Sequence, residues 1–447
     1  MAQANPLGAL GGIRNVPELW QKITFTFLCL LVYRIGSHVT VPGVDVNAMI
    51  AFFQQNQGGG LLGLYDLFVG GNLSRSTVFA LGIMPYISAS IFMQIGAAVI
   101  PTLDKMQKDE EGRKRINQWT RYATVGLAAI QGYGYALFTA GVQGAVVRPG
   151  TAFTLQMVLF LTTGALFVMW LGEQITERGL GNGASLLIFF SIVERFLPGI
   201  RDAFGFLSTG AVSLLSLLAM TAVMLGVVAG VVAITLAARR IAIQIPQRTM
   251  AKGRQREAAK NFIPLRLNSA GVMPIIFAQS LIVVPGAIAQ FSGNQSLANV
   301  ADYLAPGTWA YFLLSAILIV FFTYFYTATS AGLKMMADVA ENLKKQGGFI
   351  PGIKPGSKTA DHIQDVVTRI TLPGAIFLTF IALLPVWLAD VFAVPFQFGG
   401  TSLLIVVGVA LDTMAQVQQH LLLRKYDGFM KKGRVRFRGR GVPTGGF

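Results

Sequence analysis

The side chains that could carry out chemistry in this chain are few and far apart. Its histidines are His38, His362 and His420, whose separations do not match zinc-ligand spacing. The sequence contains no HExxH motif, no GxxxxGKS/T motif and no convincing nucleophile–base arrangement. The GLGNG stretch at Gly179–Gly183 follows an apolar run, so we interpret it as a helix-breaking loop and N-cap rather than a phosphate site. We expect no catalysis, no metal and no cofactor, and we expect Cys29 to be a small buried hydrophobe.

Acidic side chains are also missing from the centres of the apolar runs. Glu173, Glu194, Asp390 and Asp412 fall near the predicted ends of these runs. Ion-coupled transporters keep acidic residues or half-helix ion sites near the membrane midplane. The pattern therefore weighs against ion-coupled transport. It favours a pathway lined by uncharged and apolar groups, which can close by a hydrophobic constriction.

Membrane helices are the elements that must position such a pathway. Of the 447 residues, 53% are hydrophobic and only 13% are charged, whereas soluble domains carry about 25% charged residues. The long continuous runs favour helices over barrel strands. The first run leads into Arg34 without a small-residue cleavage site, so we expect a span there rather than a signal peptide. The ten predicted spans are roughly Trp20–Ile35, Thr77–Ile100, Tyr122–Ala140, Phe153–Gly172, Ala184–Leu197, Val212–Ala237, Ala270–Gln290, Trp309–Ala331, Ile370–Val391 and Thr401–Leu421.

Basic residues fall mainly on one side of this predicted topology. The 36 basic residues are concentrated in the N-terminal segment 1–19, in alternate loops that include 238–268 and 332–369, and in the tail 422–447. The positive-inside rule therefore places this side, with both termini, in the cytoplasm. Insertion and anionic headgroups explain much of the net charge of +16, but the two long loops are larger than orientation requires and indicate docking. The opposite side carries only Arg34, Arg75, Arg148, Arg195 and Arg201.

The stretch from Gly58 to Gln94 is apolar but interrupted by glycines, a proline and hydroxyl residues. It divides into a short amphipathic piece, Leu61–Val69, and a longer span that starts at Thr77. Broken helices at membrane depth are tolerated mainly where they are buried in protein or line a water-filled cavity. This stretch therefore predicts a pathway through the membrane.

Five stretches in chain order closely resemble the SecY family of protein-conducting channels. They are FALGIMPYISASIFMQ, GNGASLLIFFSIV, IPLRLNSAGVMPIIFAQSL, the segment from Ala340 to Gly356, and GGTSLLIVVGVALD. The resemblance implies an all-α polytopic membrane protein. It has ten transmembrane helices in two inverted pseudo-symmetric five-helix halves around a central hourglass pore, with a short plug helix. The first half would be 20–200, including the plug at 61–70, and the second 211–421, joined by an external hinge at 201–210.

The resemblance also implies a role for particular residues. Ile83 with Ile87 and Ile188 with Ile192 are i, i+4 pairs, so each pair shares a helix face. The implied pore ring is Ile83, Ile87, Ile188, Ile192, Ile276 and Ile405. The implied plug contacts are Leu61, Leu62, Leu64, Tyr65, Leu67 and Phe68. The implied lateral gate, where the second span meets the seventh, is Ser88, Ser90, Ile91, Gln94, Gln279 and Ser280.

The implied partners dock on the cytoplasmic loops. By resemblance, these are the SecA ATPase or the ribosome, which supply the energy, while SecE and SecG are small membrane subunits. Signal sequences, unfolded polypeptides and membrane lipids complete the set, in a bacterial cytoplasmic (inner) membrane. Lys354 stands where the family usually has arginine, and a lysine offers a point charge instead of a planar fork. The candidate partner-binding residues are Arg239, Arg240, Lys252, Arg254, Arg256, Lys344, Lys345 and Lys354.

Two other functions fit parts of the sequence. A small-solute transporter would also use broken helices, but it predicts a polar site at the midplane. A scaffold or ribosome receptor without a pore would use the basic loops, and it predicts that deleting Leu61–Gly70 changes no conductance.

Overall fold

The chain folds into helices joined by short turns, with one pair of strands. The computed structural model describes residues 17–55, 60–210, 213–244, 261–268, 270–291, 295–328, 330–392 and 400–432. The first helices are α1 Pro17–Gly36, α2 Val46–Gln55, α3 Leu61–Phe68, α4 Met84–Val99, α5 Pro101–Lys108, α6 Glu110–Gly141, α7 Thr151–Arg178, α8 Gly183–Ser208 and α9 Leu214–Leu236. Strands β1 Ala238–Ile243 and β2 Asn261–Arg266 follow, and then α10 Met273–Phe291, α11 Gln295–Tyr303, α12 Trp309–Ala328, α13 Ser330–Lys345, α14 Ser357–Phe392 and α15 Gly400–Lys432.

Each predicted span falls largely on a helix. In the described part of the chain, 7 helices are long and apolar enough to cross a membrane, namely α7, α8, α9, α10, α12, α14 and α15. The pair α4 and α5, bent by 106°, raises this number to 8 if it counts as one span. The first and third predicted spans lie on α1 and α6, whose ends carry more charge.

The second span begins later than the sequence analysis predicted. Residues between Gly70 and Ile83 form turns, and the helix starts only at Met84. Ser76 has φ 48° and Gly82 has φ 55°, which a continuous right-handed helix does not allow. Pro85 then occupies the first turn, where a missing N–H is tolerated. Thr77–Ile83 is therefore buried apolar turn rather than helix.

The GLGNG stretch acts as the predicted cap. The Asn182 side chain accepts a hydrogen bond from the backbone N–H of Ser185 at 3.2 Å, at the start of α8. Gly181 has φ +78°, which glycine adopts without a steric penalty. The interpretation as a helix-breaking N-cap is confirmed.

The helices pack around one large apolar cluster. In the first part of the chain α4, α6, α7 and α8 pack in sequence order, with α1 against α7. In the second part α9 packs on α14 and α15, and α12 packs on α10 and α14. The two parts meet on two sides, where α10 contacts α4 and α6 and where α8 contacts α15. The short helix α3 lies between them, against α8 and α10.

The long basic loops contain strands as well as helix, so the all-α prediction is incomplete. β1 and β2 form an antiparallel pair with Ile241 opposite Ile263. Ile241 is buried in a second apolar cluster with Ile363 and Val367 of α14, and Gln244 exchanges backbone hydrogen bonds with Phe349 at 2.9 Å. The hairpin, the end of α13 and the start of α14 therefore form one folded unit, which we call the docking unit.

Segments between the membrane helices are partly helical too. α8 continues to Ser208, so most of the predicted hinge 201–210 is helix. α15 continues to Lys432, into the segment predicted as a basic tail. Residues 433–447 lie outside the described residues, as do Lys252, Arg254 and Arg256.

Candidate pore, plug and gate

The isoleucines of the predicted ring come from four helices and are all buried. Ile83 directly precedes α4 and Ile87 lies in its first turn. The other four lie on α8, α10 and α15. Relative exposure is at most 4% for every member of the set, and all six belong to the large apolar cluster: Ile83, Ile87, Ile188, Ile192, Ile276 and Ile405.

The predicted plug residues form α3, whose bounds match the prediction closely. Leu61, Tyr65, Leu67 and Phe68 are buried, while Leu62 and Leu64 are partly buried against the cluster.

Glycines allow this helix to come close to its neighbours. A Cβ at Gly286 of α10 would lie 2.3 Å from Cδ1 of Leu61, so the leucine could keep this position only beside a glycine. A Cβ at Gly82 would lie 2.7 Å from Cγ1 of Val69, the residue that follows α3. Gly70 approaches the backbone of α8 closely, because a Cβ at Gly70 would lie 3.2 Å from the Cα of Ser191.

An ion pair joins α3 to α8, with its carboxylate buried and its arginine side chain 24% exposed. The carboxylate of Asp66, which is 4% exposed, contacts the guanidinium of Arg195. Its other oxygen accepts a hydrogen bond from the backbone N–H of Ser74 at 2.9 Å. A Cβ at Gly71, where φ is +81°, would lie 2.5 Å from a terminal nitrogen of Arg195. The Asp66 carboxylate therefore pairs with Arg195, and the turn after α3 leaves room for the Arg195 side chain because residue 71 is glycine.

A set of neutral hydrogen bonds extends from the same place. The Tyr33 hydroxyl pairs with the Ser191 hydroxyl at 2.8 Å. The Asn72 amide donates to the Val69 carbonyl at 2.6 Å, and the Tyr135 hydroxyl donates to the Leu73 carbonyl at 2.6 Å. The Asn72 amide also donates to the Tyr33 hydroxyl at 3.4 Å. The turn that follows α3 is thus tied to α1 and α6, and Tyr33 links it onward to α8.

The Tyr65 hydroxyl joins α3 itself to the turn before α4 and to α6. It donates to the Leu81 carbonyl at 3.1 Å and approaches the Gln131 side-chain oxygen at 3.5 Å. A phenol buried in an apolar cluster normally finds such a partner. The predicted plug is therefore held by directional contacts in addition to apolar packing.

The predicted gate residues lie where α4 meets α10. Ser88, Ile91, Gln279 and Ser280 are buried, and the Ser280 hydroxyl lies 3.8 Å from the Met84 sulfur. The two helices are therefore in contact along this face.

Hydrogen bonds also link the gate helices to α12. The Tyr326 hydroxyl donates to the Gln94 side-chain oxygen at 3.1 Å, while the Gln94 amide donates to the Ser90 hydroxyl at 2.9 Å. The Tyr311 hydroxyl donates to the Gln279 side-chain oxygen at 3.3 Å. The sequence analysis named Ser90, Gln94 and Gln279 as gate residues, which stays a prediction, and it did not name Tyr311 or Tyr326, their hydrogen-bond partners on α12.

The described partner-binding candidates lie on the docking unit. Arg239 and Arg240 extend from β1, Lys344 and Lys345 end α13, and Lys354 lies in the turn before α14; all five are exposed. Lys345 pairs with Glu341 at 2.9 Å and lowers the pKa of that carboxyl, because its ammonium donates a hydrogen bond to the charged form.

Sequence reasoning also missed the ion pairs. Arg34 pairs with Glu194, Arg121 pairs with Glu173 at 2.9 Å, and Arg195 pairs with Asp66. A signal for the last pair was present, since Asp66 is the one acidic residue of an otherwise apolar segment. Its partner lies 129 positions away and has no local pattern. Among the residues that the structure describes, no group of three or more His, Cys, Asp or Glu side chains could hold a metal ion.

These features define a class, the multi-pass helical membrane proteins that enclose a short helix and an apolar cluster between two helix sets. The sequence comparisons identify the member family. The SecY family model matches residues 77–414. The protein translocase subunit SecY of Pseudomonas aeruginosa is 44% identical over 443 residues, covering 97% of this chain and 99% of that protein. The protein of the same name from Thermus thermophilus is 40% identical over 442 residues, covering 97% and 100%. The chain belongs to the SecY family.

Solved structures of low sequence identity share the fold. A structure described as a protein conducting channel superposes with a TM-score of 0.68 at 18% identity, covering 94% of this chain and 95% of that one. Sec61 in a canine ribosome–channel complex gives a TM-score of 0.64 at 17% identity, with the same coverage. The predicted family is confirmed, and so is a multi-pass membrane fold of the SecY/Sec61 type.

Proposed function

We propose that this chain is the channel-forming subunit of a bacterial protein translocase. It conducts unfolded polypeptides across the cytoplasmic membrane and releases apolar segments sideways into the lipid. The observation that carries this proposal is the position of α3, buried between α8 and α10 beside six isoleucines from four helices. The relatives that are 40–44% identical are named protein translocase subunits, which supports the same function.

The isoleucines form the seal. A collar of branched apolar side chains supports no stable column of water when closed, so ions meet a dewetting barrier. The collar offers few hydrogen bonds to a passing chain, so it accepts almost any sequence. Stiffness of isoleucine at χ1 keeps the collar well defined.

Helix α3 is the plug. It blocks the pathway in the closed state and leaves when a polypeptide enters. A relative in the solved structures is described as having a plug domain that stabilises the closed state and maintains a membrane seal. Here the Asp66–Arg195 ion pair fastens the plug, since loss of the arginine would leave the buried Asp66 carboxylate without its counter-charge, at a cost of up to about 3–5 kcal/mol.

The contact of α4 with α10 is the closed lateral gate. Signal sequences would separate these helices by replacing the apolar contact between them with their own apolar side chains. The Gln94–Tyr326 hydrogen bond must also break if α4 moves away from α12. The ten membrane helices form two five-helix halves, α1, α4, α6, α7 and α8 against α9, α10, α12, α14 and α15, with both termini in the cytoplasm.

The chain is not an enzyme, and its partners supply the energy. SecA or a translating ribosome docks on the docking unit and on the basic loop 245–260, and SecE and SecG associate in the membrane. The solved structures of Sec61 and of yeast Ssh1 in ribosome complexes support the ribosome as one partner. The exposed basic residues of the docking unit suit ribosomal RNA or an acidic protein surface.

Polar substitutions in the seal test the proposed function. Ile83→Asn and Ile276→Asn should raise resting ion conductance in planar bilayers and allow export of proteins with defective signal sequences. Ile317→Asn, on the lipid-facing side of α12 with 56% exposure, is the matched control. Unchanged conductance and unchanged export in both seal variants would overturn the proposal. Loss of uptake of a single solute with normal export would favour a transporter.

A further inference from the structure

A short helix joins two membrane helices on the side of the molecule away from the docking unit. Helix α11 follows α10 and precedes α12, and the other ends of these two helices lead to β2 and α13. The nine residues of α11 rise by about 13 Å, which is far less than the roughly 30 Å thickness of bilayer hydrocarbon. Helix α11 therefore stays at one surface of the membrane, opposite the docking unit. The proposed function gives it no role.

The side chains of α11 divide into an apolar edge and a polar edge. Leu297 and Val300 are three positions apart, so they share the apolar edge, where they are 46% and 56% exposed. Asn299 and Asp302 share the polar edge in the same way and are also exposed. Ala301 is 1% exposed and marks the side that packs into the protein. The apolar edge thus lies beside the packed side and turns two apolar side chains outward.

The start of α12 indicates the depth at which α11 lies. Trp309, Leu313 and Ile317 recur every four positions on α12 and are all exposed, so this stripe faces lipid in a membrane-spanning chain. Trp309 is the first residue of α12, and Tyr303, which is also exposed, is the last residue of α11. Tryptophan and tyrosine concentrate where the membrane meets water. Helix α11 therefore lies at the level of this interface.

Thr308 holds α11 against α12. Its hydroxyl oxygen lies 2.7 Å from the Tyr303 carbonyl oxygen and 2.8 Å from the Ala305 carbonyl oxygen, and it donates to them. The same hydroxyl accepts a hydrogen bond from the backbone N–H of Tyr311 at 3.2 Å. One side chain thus caps the start of α12 and fixes the end of α11. Because α11 also packs against α10, its depth is coupled to that of both membrane helices.

The end of α10 beside α11 is closely packed. The ring centroids of Phe291, the last residue of α10, and Tyr135 of α6 are 5.5 Å apart. A Cβ at Gly134 would lie 3.0 Å from the Cβ of Phe291. Contacts this close allow little movement of α10 along its own axis. An element that fixes the depth of Phe291 therefore preserves the contact between α10 and α6.

The composition of α11 indicates what covers its apolar edge. Its sequence, QSLANVADY, contains no lysine or arginine and one acidic residue, Asp302. A surface for nucleic acid, an acidic protein or anionic headgroups would carry positive charge. An exposed apolar edge beside an interfacial tyrosine suits the uncharged boundary between headgroups and acyl chains.

We propose that α11 inserts Leu297 and Val300 into the leaflet opposite the docking unit and thereby holds the adjoining end of α10 at a fixed depth. The partner is the bilayer surface itself, which is bound through apolar side chains and without headgroup charge. Interfacial helices bury their apolar side by about 5–10 Å. The anchor requires only that the chain spans the membrane, so it does not depend on the pore assignment.

Quenching of fluorescent labels measures the insertion. Single-cysteine variants are built on Cys29→Ala, because Cys29 is the only cysteine of the chain. L297C and V300C place a bimane label on the apolar edge, and N299C and D302C place it on the polar edge as matched controls. The full chain, purified with its membrane partners, is held in phosphatidylcholine nanodiscs that contain a lipid with a nitroxide near the top of its acyl chain. We expect the nitroxide to quench the labels of the apolar edge about threefold more strongly than the controls, and aqueous iodide to show the reverse order.

Two quenching results would overturn the insertion. Equal quenching of all four labels by iodide, with none by the nitroxide lipid, would place α11 in water. Protection of the labels at 297 and 300 from both quenchers would show that a protein partner covers the apolar edge.

A distance measurement tests whether the insertion holds α10. Nitroxide labels at Gly141→Cys and Gln290→Cys, in the same Cys29→Ala background, report the separation of α6 and α10 near their ends. Val300→Asp places a charge on the inserted edge, and we expect it to widen the distribution of this distance by a few ångströms. Asn299→Asp adds the same charge to the polar edge and should leave the distribution unchanged. An unchanged distribution in Val300→Asp, or equal widening in both variants, would contradict the anchoring of α10.

Discussion

The proposed plug helix and the proposed lateral gate are held by different sets of contacts. Helix α3 is fastened to α8 by the ion pair between the buried Asp66 and the partly buried Arg195. The α4–α10 contact contains no ion pair among the described residues, and neutral hydrogen bonds join it to α12, from Tyr326 to Gln94 and from Tyr311 to Gln279. The ion pair of α3 lies within the first set of helices, whereas the α4–α10 contact joins the first set to the second.

This difference assigns different energetic roles to the two closures. Helices that separate at an apolar contact can exchange protein neighbours for lipid or for a signal sequence at little net cost. A plug that leaves its site must expose or rehydrate two charges that the closed state pairs. The proposed gate should therefore open more readily than the proposed plug leaves, and the ion pair should set much of the free-energy cost of moving the plug.

Removing Arg195, the positive partner of the ion pair, should change resting ion conductance more than any other substitution considered below. Arg195→Met leaves the Asp66 carboxylate buried without its counter-charge, which costs about 3–5 kcal/mol. We expect resting ion conductance of the reconstituted channel to rise by about two orders of magnitude. Arg201→Met, an exposed arginine on the same helix, is the control.

A double variant separates lost charge pairing from general damage. Asp66→Asn combined with Arg195→Met removes both charges, and the amide oxygen can still accept from the Ser74 N–H. Conductance should fall back most of the way toward the resting level. A double variant as leaky as Arg195→Met would show that the ion pair does not fasten the plug.

The turn after the plug should show a smaller effect. Gly71→Ala forces a side chain into a left-handed conformation, at a cost of about 1–2 kcal/mol, and pushes on the Arg195 guanidinium. We expect about a tenfold rise in resting conductance. Gly63→Ala is the matched control, because a Cβ at Gly63 meets no neighbouring atom within 4 Å. Equal conductance in the two variants would contradict the close fit around Arg195.

The hydrogen bond between Tyr326 and Gln94 should contribute less free energy to the closed state than the contacts around Arg195 do. Tyr326→Phe removes the hydroxyl that donates to Gln94, worth about 1 kcal/mol. We expect tolerance of weak signal sequences to rise by about fivefold, with little change in resting conductance. Tyr324→Phe on the same helix is the control. An equal rise in tolerance of weak signal sequences in Tyr324→Phe would show that the Tyr326–Gln94 hydrogen bond does not hold the gate closed.

The docking unit should affect neither closure. Lys354→Glu reverses an exposed charge far from α3 and α4, so resting conductance should not change. Binding of SecA or the ribosome should weaken, and the weakening should diminish at high salt because exposed charges are screened. Arg148→Glu, predicted on the opposite membrane side, should not change this binding. Normal affinity for both partners in Lys354→Glu would remove this residue from the docking surface.

The sequence predicted the membrane helices well because their burial in lipid requires long apolar runs, which are a local property. It misplaced the start of α4 because the turns before Met84 are as apolar as the helix, and composition does not register the positive φ at Ser76 and Gly82. The family motifs predicted the ring and gate residues; the structure shows the ring residues buried and α4 in contact with α10, and their roles stay predictions. The ion pair of Asp66 with Arg195 depends on how α3 lies against α8, and the sequence contains no pattern that specifies this contact.

Local sequence indicates the β1–β2 hairpin only in part. The short alternation around Ile241 is compatible with a strand, but its partner strand begins only at Asn261. Burial of Ile241 depends on Ile363 and Val367 of α14, which lie much further along the chain. Local periodicity could therefore suggest the strand and could not place it.

The length of α14 has a mechanical consequence. The helix runs without interruption for 36 residues from the docking unit into the membrane core, a distance of about 54 Å. Under the proposed function such a rod acts as a lever, because a push by a docked partner on the end of α14 in the docking unit would tilt or bend the part inside the bilayer. Pro373 and Pro385 both lack a backbone N–H and are therefore the places where bending costs least. Force from outside the membrane would thus reach the helices beside the proposed pore through a single element.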